Sequence, residues 1–319
     1  MPDPKAKIIA TIDIGSNSIV LLMASCTLGE KIEFLDEYYS LTKLGAEVKS
    51  KKLLSDAAVD RTIETVKELK ERAVSEGAEQ IIITTSSAVR MADNRNRFLV
   101  KCYKELNIFP QVLSGNDEAK YTYLGAITDL NVDPDRPIVT IDVGGGSTEI
   151  TWGTINKMVE GHSLDIGCVN LNEEFKLGEN YYLYKRIAAE RYVRKEFATI
   201  ANSLTSWLQG AHPKVVITGG TATTYAGILT KKDIYERNHI NLLKGYRKEM
   251  SAISRKLAKM DIKSRRRVPG IMQDRVYEMP AGLLILTEFL RYFHFKRFVI
   301  SSYGLRAGIL KHYAEKYGC

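Results

Sequence analysis

The residues best suited to chemistry lie in a stretch that breaks the rules for regular structure. In TIDVGGGSTEI, residues 140–150, an apolar strand-like run gives way to Gly144, Gly145 and Gly146 and closes on Ser147, Thr148 and Glu149. Three glycines forfeit packing and cost roughly 1 kcal/mol each in conformational entropy where regular structure is intended. What they supply is bare backbone: a concave nest of N–H groups binds anions, phosphate above all. Ser147 and Thr148 add hydroxyl donors at the same turn, and Asp142 ends the strand. The opening stretch TIDIGSNS, residues 11–18, repeats the pattern 129 positions earlier with Asp13, Gly15, Ser16, Asn17 and Ser18. Both aspartates are acceptors suited to hydrated magnesium beside phosphate oxygens. A single copy reads equally well as a tight turn capped by Asp; the duplication favours the anion-binding reading.

Three further stretches carry candidate groups. ITGGTATT, residues 217–224, runs from a strand into Gly219, Gly220 and Thr221, and a helix starting near Thr221 would aim its N-terminal amides at a bound anion. In SGNDEAKYTYLG, residues 114–125, Gly115 or Asn116 can cap a helix whose first turn holds Asp117 and Glu118. Acids there complement the helix dipole, and a carboxylate kept ionised can also orient or deprotonate a water. TTSSAVRMADN, residues 84–94, supplies Arg90, either a surface residue or a planar donor for phosphate oxygens.

The elements that must position these groups follow from periodicity. Each of the two turns sits between strand-like segments, the pattern of a β-hairpin, and a repeat at this separation implies two related domains. Residues 55–76 place Ala58, Ile63, Val66, Leu69 and Ala73 on a helical period behind a Ser/Asp cap signal. EQIIITTSSAVR reads as a buried strand entering a polar turn, followed by a helix through 94–106 and a short strand FPQVLS. The second half predicts helices from about 170 to 212, the strand KVVITGG with a turn at TAT, a long basic helical region through 267, the helix MPAGLLILTEFLRYF, the strand FKRFVISS and a last helix GLRAGILKHYAEKY. Strand and helix alternation predicts an α/β architecture.

Composition bounds the class. The chain is 45% hydrophobic and 26% charged, as in a globular protein, and its length exceeds a single core. No apolar run reaches the roughly 20 residues that span a bilayer, and MPDPKAK lacks the build of a signal peptide, so a cytoplasmic location without membrane attachment is expected. Cys26, Cys102, Cys168 and Cys319 form no CxxC pair, which excludes a zinc knuckle and a dithiol redox motif and leaves reduced thiols. Residues 1–150 carry 18 Lys and Arg against 23 Asp and Glu, and the remainder carries 28 against 15, a split of −5 and +13. A basic half steers polyanions inward. Nucleic acid is not expected as the partner, because no reader motif and no repeated basic-aromatic pattern is present.

Read in order, DIGSNS, TSSAVRMADN, SGNDEA, DVGGGSTE, GCV, TGGTAT, PGIMQDR and SSYGLRAGIL resemble the exopolyphosphatase/guanosine pentaphosphate phosphohydrolase family, within the actin, hexokinase and chaperone ATPase superfamily. The resemblance covers nearly the whole chain, and SGNDEA with DVGGGSTE is its most specific part. It implies two α/β domains of ribonuclease-H-like fold, 1–125 and a basic 126–302, with helix 303–319 packing back on the first and an active site in the cleft between them. It implies magnesium-dependent hydrolysis of a terminal phosphoanhydride, with potassium as an activator. The substrate is inorganic polyphosphate or, alternatively, guanosine pentaphosphate; a regulator that binds guanosine penta- or tetraphosphate with weak turnover is a third reading. The proposed general base falls on Glu118. Asp142 and Glu149, joined by Glu118, match the carboxylates that deal with metal and water. Asp13, Gly15 to Ser18, Gly144 to Thr148, Gly219 to Thr221 and Arg90 match phosphate-contacting positions. Arg275 matches an arginine that meets polyphosphate or nucleotide, and Lys185, Arg186, Arg191, Arg194 and the run Arg265, Arg266, Arg267 would extend a polyanion track. Homodimers occur in the family. Two departures stand out: Val20 replaces an Arg or His found in many members, and the helical C-terminal domain of longer members is missing, which bears on processivity.

Overall fold

The computed structural model describes residues 6–27, 32–46, 48–179, 181–232 and 237–317; the opening MPDPK and Cys319 lie outside them. The chain divides into two compact units, Met1–Gly125 with Leu305–Cys319, and Ala126–Gly304.

The first unit runs β1 (Lys7–Ile14), β2 (Ser18–Cys26), β3 (Glu33–Leu41), α1 (Val48–Lys51), α2 (Asp56–Ser75), β4 (Gln80–Thr85), α3 (Ser87–Met91), α4 (Arg95–Leu106), β5 (Gln111–Val112) and α5 (Gly115–Ala126). Its sheet has the order β3-β2-β1-β4-β5. The first turn joins β1 and β2 as an antiparallel hairpin, while β4 lies parallel to β1 and opposes Thr84 to Asp13. Period-two alternation then decides the faces. Ala10, Ile12 and Ile14 enter a core with Ile63, Val66 and Leu69 of α2 and Phe98, Leu99 and Cys102 of α4. Thr11 and Asp13 project from the opposite face, yet are also buried. Helix α2 starts where its sequence signals, with the Ser55 hydroxyl accepting the Ala58 amide at 3.3 Å.

The second unit runs β6 (Ile138–Val143), β7 (Thr148–Gly153), β8 (Met158–Leu164), α6 (Cys168–Phe175), α7 (Leu183–Leu208), β9 (Lys214–Thr218), α8 (Gly219–Thr230), α9 (Arg237–Ile240), β10 (Leu243–Tyr246), α10 (Arg247–Lys259), α11 (Ile262–Arg266), α12 (Met279–Tyr292) and β11 (Arg297–Ile300). Its sheet order is β10-β11-β9-β6-β7-β8. The hairpin β6-β7 repeats β1-β2, and the parallel neighbour β9 opposes Thr218 to Asp142 as β4 opposes Thr84 to Asp13. Every residue of α12 from Met279 to Leu290 is buried, with Phe289 packed edge-on to Phe197 of α7. The last helix, α13 (Leu305–Tyr317), belongs to the first unit.

Four local expectations need correction. The segment after β4 forms the short helix α3, not a polar turn. TAT lies inside α8, which starts at Gly219. The region before residue 267 contains β10, whose LKGY carries no alternation long enough to show. Strands β3 and β8, which complete a three-stranded antiparallel set in each unit, were not signalled, because EFLDEYYSL and MVEGHSL are edge strands with mostly half-buried side chains. Among the described residues no helix is long and apolar enough to cross a membrane, and Cys26, Cys102 and Cys168 are buried and form no disulfide.

Candidate active site

Each unit builds a half of the chemistry from the same parts. In the first, the Gly15 amide closes the turn on the Ser18 carbonyl at 2.9 Å; in the second, Gly144 does the same with Ser147 at 3.0 Å. The carbonyls of both turns are held from behind. Ser16 and Asn17 accept from Gly45, Thr42 and Lys43, while Gly144 and Gly145 accept from Cys168, Val169 and Asn170 at the start of α6. The Asn170 side chain takes the Gly146 carbonyl at 2.9 Å. With the carbonyls fixed inward, the amides of Gly145, Gly146 and Ser147 have no backbone partner among the described residues. The buried Asn17 side-chain amide likewise lacks one. Unmet donors at a turn are costly unless a ligand or water meets them, and in each unit they fall in the glycine-containing turn itself. Gly167 explains the GCV motif: a Cβ there would fall 2.2 Å from the Gly145 carbonyl oxygen, so only glycine lets α6 support the turn.

The acids of the equivalent strands differ between the units. Across β6, β7 and β8, Asp142 is paired with Glu149 and Glu149 with Ser163, and the Ser163 hydroxyl donates to Glu149 at 2.8 Å. Asp142 is half-buried against Gly219, whose φ of +83° admits no side chain without strain and where a Cβ would meet the Asp142 Oδ1 at 1.9 Å. Two carboxylates on one face, without a third His, Cys, Asp or Glu to close a cage among the described residues, suit magnesium, which takes one or two protein carboxylates and completes its shell with water and substrate phosphate. In the first unit the corresponding row is Thr84, Asp13, Val20; Val20 stands where Glu149 stands in the repeat, so that row holds one acid. Asp13 is 7% exposed. Burial raises its pKa, opposed by the charge of Arg306 and by the Thr84 hydroxyl, which donates to Asp13 at 3.1 Å.

Glu118 is also buried, and Arg90 donates to its Oε2 at 2.9 Å while donating to the Leu113 carbonyl at 2.9 Å. Burial pushes the Glu118 carboxyl up to about 7; Arg90 and Ser86 pull it down and the charge of Asp13 pushes it further up. A carboxylate poised near neutrality is what base catalysis at physiological pH uses. The cap of α5 is Ser114, rather than Gly115 or Asn116: its hydroxyl accepts the Asp117 amide at 3.1 Å and donates to the Asp117 carboxylate at 2.7 Å. Asp117 therefore caps, and Glu118 alone turns inward.

Several sequence expectations fail. Thr148 is fully buried and its hydroxyl donates to the Ile166 carbonyl, so it supports the turn and offers the phosphate nothing. Arg265 is fully buried and donates to the carbonyls of Leu257, Met260, Gly178 and Val276 at 2.9 to 3.1 Å. The run is thus split, with Arg266 and Arg267 exposed and Arg265 serving as a backbone staple. Arg186 and Arg194 are paired with Glu190 and Glu288, which leaves Lys185 and Arg191 without the continuous track expected of them. The Arg275 guanidinium lies over Gly220 at the start of α8, where a Cβ would fall 2.2 Å from Cζ. Thr221 turns inward, its hydroxyl donating to the Val143 carbonyl at 3.4 Å. Thr84, Ser86, Ser163 and Arg306 were not singled out from sequence. Only the repeat itself could have flagged Thr84, as the partner of Asp13. Cys168, beneath the turn, has its thiol pushed up to about 12 by burial, which keeps it protonated and inert.

Two mixed sheets flanked by helices, each with an acid-ended hairpin, define the two-domain α/β architecture of the actin and hexokinase type. Residues 25–316 match the Ppx/GppA phosphatase family, and the chain belongs to that family. Its members are hydrolases that act on phosphoanhydride bonds. The crystal structure of the Aquifex aeolicus family member superposes with a TM-score of 0.81 at 26% identity, covering 99% of this chain and all of that one. An exopolyphosphatase from Cytophaga hutchinsonii shares the fold, with a TM-score of 0.87 at 21% identity over 97% of this chain and 98% of that one. Among curated proteins, the bifunctional 3-dehydroquinate synthase/phosphatase of Fusobacterium nucleatum is 31% identical over 306 residues, 92% of this chain and 44% of that protein. The chain therefore spans less than half the length of that relative.

Proposed function

We propose that this protein is an exopolyphosphatase that hydrolyses the terminal phosphate of inorganic polyphosphate with magnesium. The observations that carry the reading are the amide turn that recurs once in each unit and, in the first unit, the buried carboxyl of Glu118, pushed up to about 7. Phosphoryl transfer needs little covalent chemistry from protein; positioning and charge stabilisation supply most of the rate. The turn amides and Asn17 hold phosphate oxygens, and Arg275, which lies over Gly220 at the start of α8, neutralises the next phosphate of the substrate. Asp142 and Glu149 are the residues to hold magnesium, which when bound offsets charge on the phosphoryl oxygens. Arg90 already supplies the cation at Glu118, which favours Glu118 as the base that takes a proton from the attacking water over a role as a third metal ligand. Exposed Arg266 and Arg267 attract the remaining polyanion.

Guanosine pentaphosphate ends in the same anhydride, so substrate choice is decided by measuring inorganic phosphate released from short polyphosphate, long polyphosphate and guanosine pentaphosphate, each with and without magnesium. Release from polyphosphate that stops on chelation is the expected result. Release from guanosine pentaphosphate alone would overturn the substrate, and no release from any would overturn the activity.

A further inference from the structure

The face of the first sheet that carries Asp13 is covered by a helix from the far end of the chain. Helix α13 touches β3 and α5 and acts by charge on Asp13. Arg306, in its first turn, donates to Glu37 of β3 at 2.8 Å. Glu37 and Asp13 stand on the same sheet face, since Leu22 pairs with Glu37 and with Thr11, two residues from Asp13. Arg306 acts on Asp13 as a favourable charge. Two residues on, Gly308 packs against the backbone of α5: a Cβ at 308 would fall 1.7 Å from the Tyr121 carbonyl oxygen and 3.0 Å from the Gly125 amide nitrogen. Tyr121 lies one helical turn beyond Glu118 and also meets His312 of α13 in a tilted ring contact at 5.2 Å. Leu305 and Ile309 form a small core with Tyr121, Ile82 and Leu113, and it is the Leu113 carbonyl that anchors Arg90.

We infer that α13 is the positioning element of the first unit's two buried acids, with Arg306 setting Asp13 and Gly308 setting the depth at which α5 presents Glu118 to Arg90. Nothing in the general anatomy of a phosphate turn requires this helix. It follows from where one cation, one glycine and one five-residue core fall. The inference rests on Glu118 as the base, and its test separates the two. Arg306→Gln and Arg306→Lys are compared for kcat and KM on polyphosphate. The Gln variant is expected to lose about tenfold or more in kcat, within the range that small misplacement causes, with KM within about twofold of wild type, and the Lys variant to recover most of the loss. Gly308→Ala is followed by amide hydrogen exchange, which is expected to quicken in residues 115–125 and 86–90 while α2 stays protected. Exchange does not depend on turnover, so it reads the inference even if polyphosphate proves not to be the substrate. Equal defects in the two Arg306 variants, a loss confined to KM, or unchanged exchange in α5 would each overturn it. Should Gly308→Ala fail to fold, the Arg306 pair still decides.

Discussion

The ion pair between Arg90 and Glu118 makes the pH dependence of turnover a test of the mechanism. Glu118 must be ionised to accept a proton, and its carboxyl is held at about 7. Turnover should therefore rise with pH through neutrality, and between pH 6 and pH 8 the ionised fraction changes about tenfold for a single group at that pKa. Arg90 stabilises the ionised form through a direct contact at 2.9 Å in a buried setting. A hydrogen bond to a charged group contributes about 1.5–3 kcal/mol, and 1.36 kcal/mol equals one pKa unit, so Arg90→Gln should move the rising limb up by about one to two pH units. The sign is fixed: losing a cation next to an acid favours the protonated acid, so the variant recovers towards alkaline pH. The assay is the kcat profile for phosphate release from saturating polyphosphate between pH 5.5 and pH 9.5. Glu118→Gln should abolish the limb and lower kcat by about 10²-fold or more, the usual size of a lost general base. A limb unmoved in Arg90→Gln, or near-normal turnover in Glu118→Gln, would refute the assignment.

Three further outcomes follow from geometry. Gly219→Ala places a methyl where Asp142 Oδ1 now lies and forces a left-handed residue; it should cost about 1–3 kcal/mol in strain and cut turnover sharply, read by denaturant melts beside phosphate release. Arg265→Met strips four carbonyls of their donor and should lower stability by about 3 kcal/mol or more without changing KM for polyphosphate, whereas Arg266→Gln with Arg267→Gln should leave the melt alone, raise KM and flatten its dependence on salt. Chelation should stop turnover and magnesium should restore it in wild type, while Asp142→Asn should need far more magnesium, measured as the activating concentration.

Both turns and the acids Asp13, Asp142, Glu118 and Glu149 were readable because they sit in contiguous motifs, and one motif is repeated. What could not be read was pairing across elements. Thr84 against Asp13 and Ser163 against Glu149 depend on sheet register, and Arg306 depends on a helix returning across some 290 residues. The run Arg265 to Arg267 shows the same limit at short range. Three like charges in a row carry no mark of which one turns inward, and only the carbonyls of Gly178 and Val276, supplied from outside the run, decide it. Edge strands β3 and β8 lacked the clean alternation that announces a strand with one face buried.

The passage of the chain out to residue 304 and back into the first unit bears on synthesis. The second unit is continuous in sequence, so it can fold as soon as Gly304 has left the ribosome. The unit that was started first must wait: until Leu305 to Tyr317 emerge, Asp13 and Tyr121 lack the cover that α13 gives them, and a nascent chain halted before them would carry one finished unit and one that protease can still enter.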